Sequence, residues 1–340
     1  TRYISVTGVQ TCALPIYEYA LRGDLDASWA ARPQTLLRER DAAVLLLEDP
    51  GGAPLADLLG EPMDPASFLD VAMAMTHAVG KLHQRGLIHK DLKPAHFLVA
   101  ADPNRAWLIG FGIASRVPRG GDALPEASEI AGTLAYMAPE QTGRMNRAID
   151  TRSDLYSLGV TFYQMLTGAL PFVGAEPIDW VHAHLTRAPQ PPAGRIATVP
   201  AMLSDLVMKL LAKAPEERYQ TAAGLLRDLE RCQQALRMHG AIAPFRLGQG
   251  DLSDIFAIRD YLYGREQTEA MLAATFDRVA STGCSEIVMV SGHSGVGKTS
   301  VMQAFARTVA GRGGIQATGK SDAPADASID APAEIGRAHV

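Results

Sequence analysis

The sequence predicts an α+β fold in two parts: a mainly helical first part that follows a short apolar strand, and the start of a second, α/β domain. Three observations lead to this prediction. Four stretches between residues 64 and 236 repeat apolar side chains every three or four positions, as amphipathic helices do. Ala42–Leu47 and Glu286–Val290 are apolar runs of strand length. Residues 238–261 carry neither pattern, so we interpret them as a linker between the two parts.

The composition is that of an ordinary globular protein. The chain has 340 residues, of which 47% are hydrophobic and 20% charged, and these values argue against wholesale disorder. Lys and Arg number 32 against 37 Asp and Glu, for a formal net charge of -5. We therefore expect no nucleic-acid partner, because such proteins carry a basic excess. No apolar run reaches the ~18 residues of a membrane span, and Cys12, Cys232 and Cys284 form neither a disulfide framework nor a zinc ligand set, so we expect a cytoplasmic protein.

The two ends of the chain look foreign to the rest. Codons for Thr11–Ile16, followed by one T, can be chosen so that the reverse complement, in the right frame, reads through Glu334–Val340 with the two end codons partly covered, and the shared nucleotide sequence resembles a common sequencing adapter. We therefore expect residues 1–16 and 334–340 to be translated artefact. The native part is then expected to be cut at both ends.

Local signals define the elements of the first part. The strand at Ala42–Leu47 is followed by a turn at Glu48–Gly52, where Pro and Gly interrupt the apolar run. The first helix is predicted to begin after Asp64, an N-cap residue with Pro65 at the first helical position, and to end near Gly86. Three more helices are predicted at Asp154–Leu166, Ala201–Lys213 and Thr221–Leu236.

Five short motifs follow one another in the helical part. They are His89–Pro94 (HKDLKP), Gly110–Gly112 (GFG), Gly132–Glu140 (GTLAYMAPE), Arg152–Gly159 (RSDLYSLG) and Pro215–Tyr219 (PEERY). One such motif alone is weak evidence, whereas five in this order and spacing are highly specific. Residues 18–236 resemble the C-terminal lobe of a protein kinase with a remnant of the N-terminal lobe. The resemblance implies an α+β protein kinase-like fold with a truncated N-lobe.

The resemblance also implies catalytic roles for two residues. Asp91 matches the catalytic-loop Asp that accepts the proton of the substrate hydroxyl. Lys93 would lie beside the transferred phosphoryl group and offset its charge. In the family, a Lys at this position together with Thr133 goes with Ser/Thr rather than Tyr substrates.

Structural roles follow from the same resemblance. Glu140 and Arg218 match a buried ion pair that holds the activation segment, the stretch that ends at Glu140. Asp154 matches a helix residue that ties down the catalytic loop. Residues 48–51 would be the hinge that holds adenine through backbone groups.

Both metal positions depart from the family pattern. Kinases hold two Mg²⁺ ions with the Asp of Asp-Phe-Gly and with an Asn five residues after the catalytic Asp, and here Gly110 and His96 stand at these positions. Glycine has no side-chain ligand, and Mg²⁺ prefers oxygen to imidazole. Two interpretations stay open: a Ser/Thr kinase with impaired phosphotransfer, and a pseudokinase that signals through docking or conformation. Mn²⁺ tolerates imidazole better than Mg²⁺ does, so His96 could bind Mn²⁺.

A second nucleotide site is predicted after the Glu286–Val290 strand. Residues 292–299 (GHSGVGKT) match the GxxxxGK[ST] pattern and open a helix, which is the context of a P-loop. Lys298 would reach the β/γ-phosphates of ATP, and Thr299 would bind Mg²⁺. The glycines of the phosphate cradle are Gly292, Gly295 and Gly297. The alternative is a chance Gly-rich turn.

The order of the two parts resembles the front end of large bacterial sensor proteins. Tyr263–Glu266 resembles the entry box of AAA/STAND ATPases, and the segment from Phe245 to Asp254 resembles the connection found in that family. There a Ser/Thr kinase-like domain precedes an ATPase and a histidine kinase. The resemblance implies a two-component signalling protein whose partners are ATP and either other proteins or its own downstream domains. The predicted segments are 17–50 (N-lobe remnant and hinge), 51–237 (C-lobe), 238–261 (linker) and 262–333 (start of the ATPase).

Overall fold

The computed structural model describes residues 2–7, 13–39, 42–117, 132–144, 147–251 and 266–291, together with residues 301, 305 and 309. The chain divides into two compact units, Thr1–Asp254 and Ile255–Val340. Among the described residues, no helix has both the length and the apolar character needed to cross a bilayer. The predicted P-loop, residues 292–299, lies outside the described residues.

An antiparallel sheet opens the first unit. Its strands are β1 (Arg2–Thr7), β2 (Pro33–Glu39) and β3 (Ala42–Leu47), in the order β1-β3-β2. The predicted strand at Ala42–Leu47 is confirmed, and burial alternates along it as expected for a strand with one face on the core. β1 lies inside the predicted leader 1–16. Strands pair through backbone groups whatever their side chains, so the adapter origin of residues 1–16 stays a prediction.

The long helix α2 (Pro65–Gln84) confirms the first predicted helix. Its N-cap is Asp64, whose carboxylate accepts the backbone N–H groups of Ala66 and Ser67 at 3.0 and 3.1 Å. Gly86 follows the helix with φ at +69°, a conformation that glycine adopts without strain. The helix is preceded in the chain by α1 (Ala13–Ala20) and packs closely against the last helix of the unit.

The remaining predicted helices form with shifted ends. α3 (Thr151–Thr167) stops at Gly168, which has φ at +70°, and is buried almost all round. α6 spans Ala201–Leu210, ending before the predicted Lys213, and α7 spans Ala222–His239 with Thr221 as its N-cap. Two short helices that the periodicity did not predict lie between them, α4 (Pro177–Thr186) and α5 (Pro192–Arg195).

Short strand pairs hold two loops side by side. The strands are β4 (Ala53–Pro54), β5 (Leu87–Ile88), β6 (Phe97–Val99), β7 (Ala106–Leu108) and β8 (Ser115–Arg116). β6 pairs with β7, and β5 pairs with β8, both antiparallel. The loop from β5 to β6 and the loop from β7 to β8 therefore start and end on paired strands. They carry the first two of the five motifs.

Part of the predicted linker 238–261 is packed rather than free. α7 continues to His239, and the following residues to Asp251 lie against the helical part. Ile242, Phe245 and Leu247 are half-buried against its core. These apolar residues follow neither a helical nor a strand period, which is why the pattern did not predict their packing.

The first element that the structure describes in the second unit is a helix that was not predicted, α8 (Glu266–Thr282). The strand predicted at Glu286–Val290 is wrong: these residues form no strand, and the side chains of Ile287 and Met289 are 88% and 87% exposed. A strand must pair its backbone N–H and C=O groups with a neighbour. The described residues of this unit supply no such neighbour.

Candidate active site

The loop that carries Asp91 is tied to helix α3. The backbone N–H groups of His89 and Lys90 donate to the buried carboxylate of Asp154 at 2.8 and 2.9 Å. His83 Nε2 lies 2.9 Å from the same carboxylate. A buried carboxylate is stable only when its lone pairs are used, so Asp154 and the loop fix each other, as the resemblance to kinases implied for Asp154.

The backbone of Lys90, next to Asp91 in this loop, has an unusual conformation. Lys90 is the only described non-glycine residue with a positive φ, +68°. Such a conformation costs energy and persists where neighbours determine it. Here Gln141 Nε2 donates to the Lys90 carbonyl oxygen at 2.7 Å, from the short helix Pro139–Thr142. The end of the activation segment therefore helps to shape the loop.

Asp91 and Lys93 lie together, as predicted, and both contact Thr133. The Thr133 N–H donates to Asp91 Oδ1 at 2.7 Å, and Lys93 Nζ lies 3.0 Å from Asp91 Oδ2. Lys93 Nζ also donates to Thr133 Oγ1 at 2.7 Å. Burial works to raise the pKa of Asp91, but His96, Thr133 and Lys93 outweigh it and hold that pKa below its usual value. Asp91 is thus a charged carboxylate at neutral pH, with one side facing a lysine.

His96 fills the space beside Gly110. Its Nδ1 lies 2.7 Å from the Asp91 carbonyl oxygen, which can only accept, so Nδ1 carries the proton. A Cβ atom on Gly110 would lie 2.8 Å from His96 Nε2, and Gly110 itself has φ at +81°. Burial, together with the nearby His89, lowers the pKa of His96 to about 4. The imidazole is therefore neutral, and it lies where a side chain at position 110 would begin.

Glu140 and Arg218 form the predicted buried ion pair. The guanidinium binds both carboxylate oxygens, at 2.7 and 2.9 Å, and both side chains are fully buried. Ser153 donates to Glu140 at 2.7 Å, and the other guanidinium protons reach backbone carbonyls. Charges buried this completely are tolerated when every donor and acceptor is used.

A cavity of about 360 Å³ opens beside Lys93. At its wall the Tyr136 hydroxyl donates to Gln164 at 2.6 Å. The lining carries one cation, Lys93, and no carboxylate; it consists of Ala56, Leu59, Gly60, Lys93, Pro94, Ala95, Tyr136, Gln164 and Gly168. A protein segment lying in this cavity would reach the Asp91–Lys93 pair.

This arrangement of loop, ion pair and helices agrees with a comparison against known families. A family model described as "Protein kinase domain" matches residues 25–229. The chain belongs to the protein kinase family. A second family model, "AAA ATPase domain", matches residues 261–334, so the kinase domain is followed by an AAA region.

Several curated proteins are similar to the kinase domain. "Serine/threonine-protein kinase PknB" of Mycobacterium tuberculosis is 37% identical over 189 residues, which is 55% of this chain and 30% of that protein. "Serine/threonine-protein kinase Pkn1" of Myxococcus xanthus is 37% identical over 215 residues, 62% of this chain and 30% of that protein. "Hybrid signal transduction histidine kinase G" of Dictyostelium discoideum is 38% identical over 199 residues, 52% of this chain and 6% of that protein. The chain thus spans less than a third of the length of these three relatives.

The kinase metal positions of this domain do not fit Mg²⁺. Gly110 offers no ligand, and His96 offers only the Nε2 lone pair of a neutral imidazole. Within the part of the chain that the structure describes, no group of three His, Cys, Asp or Glu side chains could hold a metal ion. Membership of the family implies the use of ATP and Mg²⁺, but at this cleft the donor set for the metal is missing.

Glu18 is a buried acid in the kinase domain that contacts the Gly-Phe-Gly motif. It lies on α1, and burial raises its pKa to about 7, although the backbone N–H groups of Phe111 and Gly110 act in the opposite direction. Its Oε1 is buried without a hydrogen-bond partner among the described residues. The sequence predicts no such contact, because α1 and the motif are far apart in the chain.

The structure brings Asp91, Lys93, His96 and Gly110 to one place, and it adds three residues that sequence reasoning missed or misread. His83, for which the sequence analysis gives no role, contacts Asp154. Gln141 and Glu18 act on the loop backbones. Only the position of Gln141 beside the Ala-Pro-Glu motif offered a signal. The predicted ligands of the P-loop, Lys298 and Thr299, lie outside the described residues.

Proposed function

We propose that the kinase domain of this chain is a pseudokinase, a regulatory module that keeps the kinase framework but not Mg²⁺-dependent phosphotransfer. The observation that carries the proposal is the position of the His96 imidazole against Gly110. In kinases the metal ions neutralise the charge that develops on the phosphates. Here one ligand is absent and the other is replaced by an imidazole that blocks the space.

The framework supports a role in docking or conformation. The contacts that shape the catalytic loop, Asp154 to His89 and Lys90, are all made. The Glu140–Arg218 pair holds the end of the activation segment. The cavity beside Lys93 offers a partner segment a place on the domain surface. A domain that has these contacts and this cavity can still bind a partner protein, although it lacks the metal ligands.

Nucleotide-dependent signalling would then fall to the AAA region. The sequence motif predicts that Lys298 binds the phosphates and that Thr299 binds Mg²⁺, and the family match covers this segment. The pseudokinase would pass a docking signal to this nucleotide switch in a cytoplasmic, two-component type of signalling protein. Its partners would be ATP, and other proteins or downstream domains of the same polypeptide.

A second candidate function is Ser/Thr phosphotransfer without the usual ligands. It is favoured by the intact contacts among Asp91, Lys93 and Thr133. These residues can orient a hydroxyl and take its proton. Mn²⁺, which accepts nitrogen ligands more readily than Mg²⁺, would then use His96 Nε2.

Phosphotransfer from labelled ATP separates the two candidates. The protein encoded by the complete source gene is assayed with Mg²⁺ and with Mn²⁺, beside Asp91→Asn. The proposal predicts equal background incorporation for both proteins in either metal. Incorporation that is lost in Asp91→Asn would instead establish the second candidate.

A further inference from the structure

The segment Ala241–Asp251, here called the strap, contacts the kinase domain at several points between Ile242 and Asp251. It lies between the kinase family match, which ends at residue 229, and the AAA match, which begins at 261. Phe245 is half-buried, and the Arg231 guanidinium lies 4.1 Å from the centre of its ring. The Gly248 N–H donates to Asp228 at 2.6 Å, and Arg227 donates to the Gly250 carbonyl at 3.1 Å.

The strap ends in the carboxylate of Asp251, both oxygens of which accept hydrogen bonds. Asp251 Oδ1 accepts the Thr221 hydroxyl at 2.6 Å, and Oδ2 accepts the Gln220 N–H at 2.6 Å. Charge-assisted hydrogen bonds of this kind are stronger than neutral ones. Helix α7 makes room for this carboxylate, because a Cβ atom on Gly224 would overlap the Asp251 carboxyl group. Since glycine in a helix interior costs about 1 kcal/mol relative to alanine, Gly224 is placed for the contact and not for the helix.

The turn that Asp251 holds carries the ion pair of the activation segment. Gln220 follows Arg218 by two residues, and its side chain donates to the Arg218 carbonyl at 2.9 Å. Arg218 binds Glu140, and Gln141, the next residue, donates to the Lys90 carbonyl in the catalytic loop. A series of hydrogen bonds, joined by the backbone between Glu140 and Gln141, therefore runs from the strap to the catalytic loop.

We propose that the strap is a conformational device of the kinase domain: docked, Asp251 fixes the Gln220–Thr221 turn and so holds the activation segment through Arg218 and Glu140. Undocking the strap would loosen that segment. The chain continues from the strap into the AAA region, so a change that pulls on residue 251 has a direct route to the kinase domain. The hydrogen bonds that support this proposal involve no phosphotransfer. The proposal therefore does not depend on whether the domain is a pseudokinase.

Hydrogen–deuterium exchange of the full chain tests the proposal. In Gly224→Ala the new methyl group displaces the Asp251 carboxylate from its position. The substitution does not weaken helix α7 itself, because alanine has a higher helix propensity than glycine. We expect the amides of residues 245–251 to exchange about tenfold faster, and those of residues 139–144 to lose protection with them. The matched control is Gly194→Ala, because a Cβ there meets nothing closer than Gln190, at 3.7 Å.

Two results from Gly224→Ala would overturn the proposal. One is unchanged exchange of residues 245–251 in Gly224→Ala, since the strap would then not depend on the carboxylate. The other is faster exchange of the strap with no change at 139–144, since the strap would then be a tether only. Asp251→Ala, which removes the carboxylate without adding bulk to α7, must reproduce the pattern and guards against a misfolded Gly224→Ala. An Asp251→Ala protein with native exchange in both segments would equally contradict the proposal.

Discussion

The imidazole of His96 lies in the space that a side chain at position 110 would enter, so the choice of residue at one position limits the choice at the other. A Cβ atom at position 110 would lie 2.8 Å from the ring of His96. The replacement of one metal position by glycine therefore accommodates the replacement of the other by histidine. A side chain at position 110 would therefore require the ring of His96 to move.

The pairing predicts that substitutions at the two positions are not additive. Gly110→Asp should lower the free energy of unfolding by about 3 kcal/mol, because it adds bulk against His96 and places a side chain at positive φ. In a His96→Asn background the same change should cost about 1 kcal/mol, leaving mainly the backbone strain. Urea unfolding of the two single variants and the double variant measures the difference.

The control for backbone strain alone is Gly143→Asp. Gly143 has φ at +68°, and a Cβ there meets nothing within 4 Å. Gly143→Asp should lower the free energy of unfolding by about 1 kcal/mol, both in the wild type and in the His96→Asn variant. Equal costs of Gly110→Asp with and without His96 would show that the ring does not occupy the space.

The buried ion pair should dominate the charge contribution to stability. Glu140→Gln leaves Arg218 buried without a counter-charge, so we expect a loss of about 3–5 kcal/mol in urea unfolding. The control is Glu216→Gln, which removes the exposed partner of Arg147 and should cost less than about 1 kcal/mol. Similar losses at the two sites would mean that Arg218 reaches solvent.

Glu18 should make stability depend on pH. Its folded pKa of about 7 lies above the ordinary value of 4.5, so the folded protein keeps a proton that the unfolded chain releases. Glu18 contributes its full share to the free energy of unfolding below pH 4.5. That contribution falls by about 3 kcal/mol as the pH rises through the folded pKa of about 7. His96 and His184, with pKa values lowered to about 4, act in the opposite direction over part of this range.

The measurement for Glu18 is therefore a difference between two proteins. Unfolding of the wild type and of Glu18→Gln is followed in urea from pH 5 to pH 8. The variant should be the relatively more stable protein at pH 8, with the gap closing towards pH 5. A gap that is the same at every pH would show that Glu18 does not titrate in the folded protein.

Sequence patterns predicted the helices of the kinase domain well because their signals are local. Asp64 caps α2 and Gly168 ends α3, where a neighbouring side chain or a glycine decides the boundary. The motifs also singled out Asp91, Lys93 and Thr133, which contact one another in the structure.

The failures share a physical cause: the deciding partner lies far away in the chain. The strand expected at Glu286–Val290 finds no partner among the described residues. The strap looked like a linker because Asp251 gains its contacts from Gln220 and Thr221, some 30 residues away. No local signal on α2 shows that His83 contacts Asp154, because Asp154 lies on a different helix.

ATP binding should depend on the AAA region and not on the kinase cleft. Lys298→Ala removes the cation that the motif places on the phosphates, so we expect titration calorimetry to show loss of ATP binding. Asp91→Ala should bind ATP as the wild type does, and Lys320→Ala serves as a control lysine from the same region. Loss of binding in Asp91→Ala but not in Lys298→Ala would reverse the assignment.

The central claim is that the absence of both metal ligands is what prevents Mg²⁺-dependent phosphotransfer by this domain. The most direct measurement is phosphotransfer with Mg²⁺ by three forms of the protein encoded by the complete source gene: wild type, Asp91→Asn, and the double variant His96→Asn with Gly110→Asp. The claim predicts that the wild type incorporates no more phosphate than Asp91→Asn, while the double variant, with both oxygen ligands restored, exceeds both. Wild-type incorporation that matches the double variant and disappears in Asp91→Asn would contradict it.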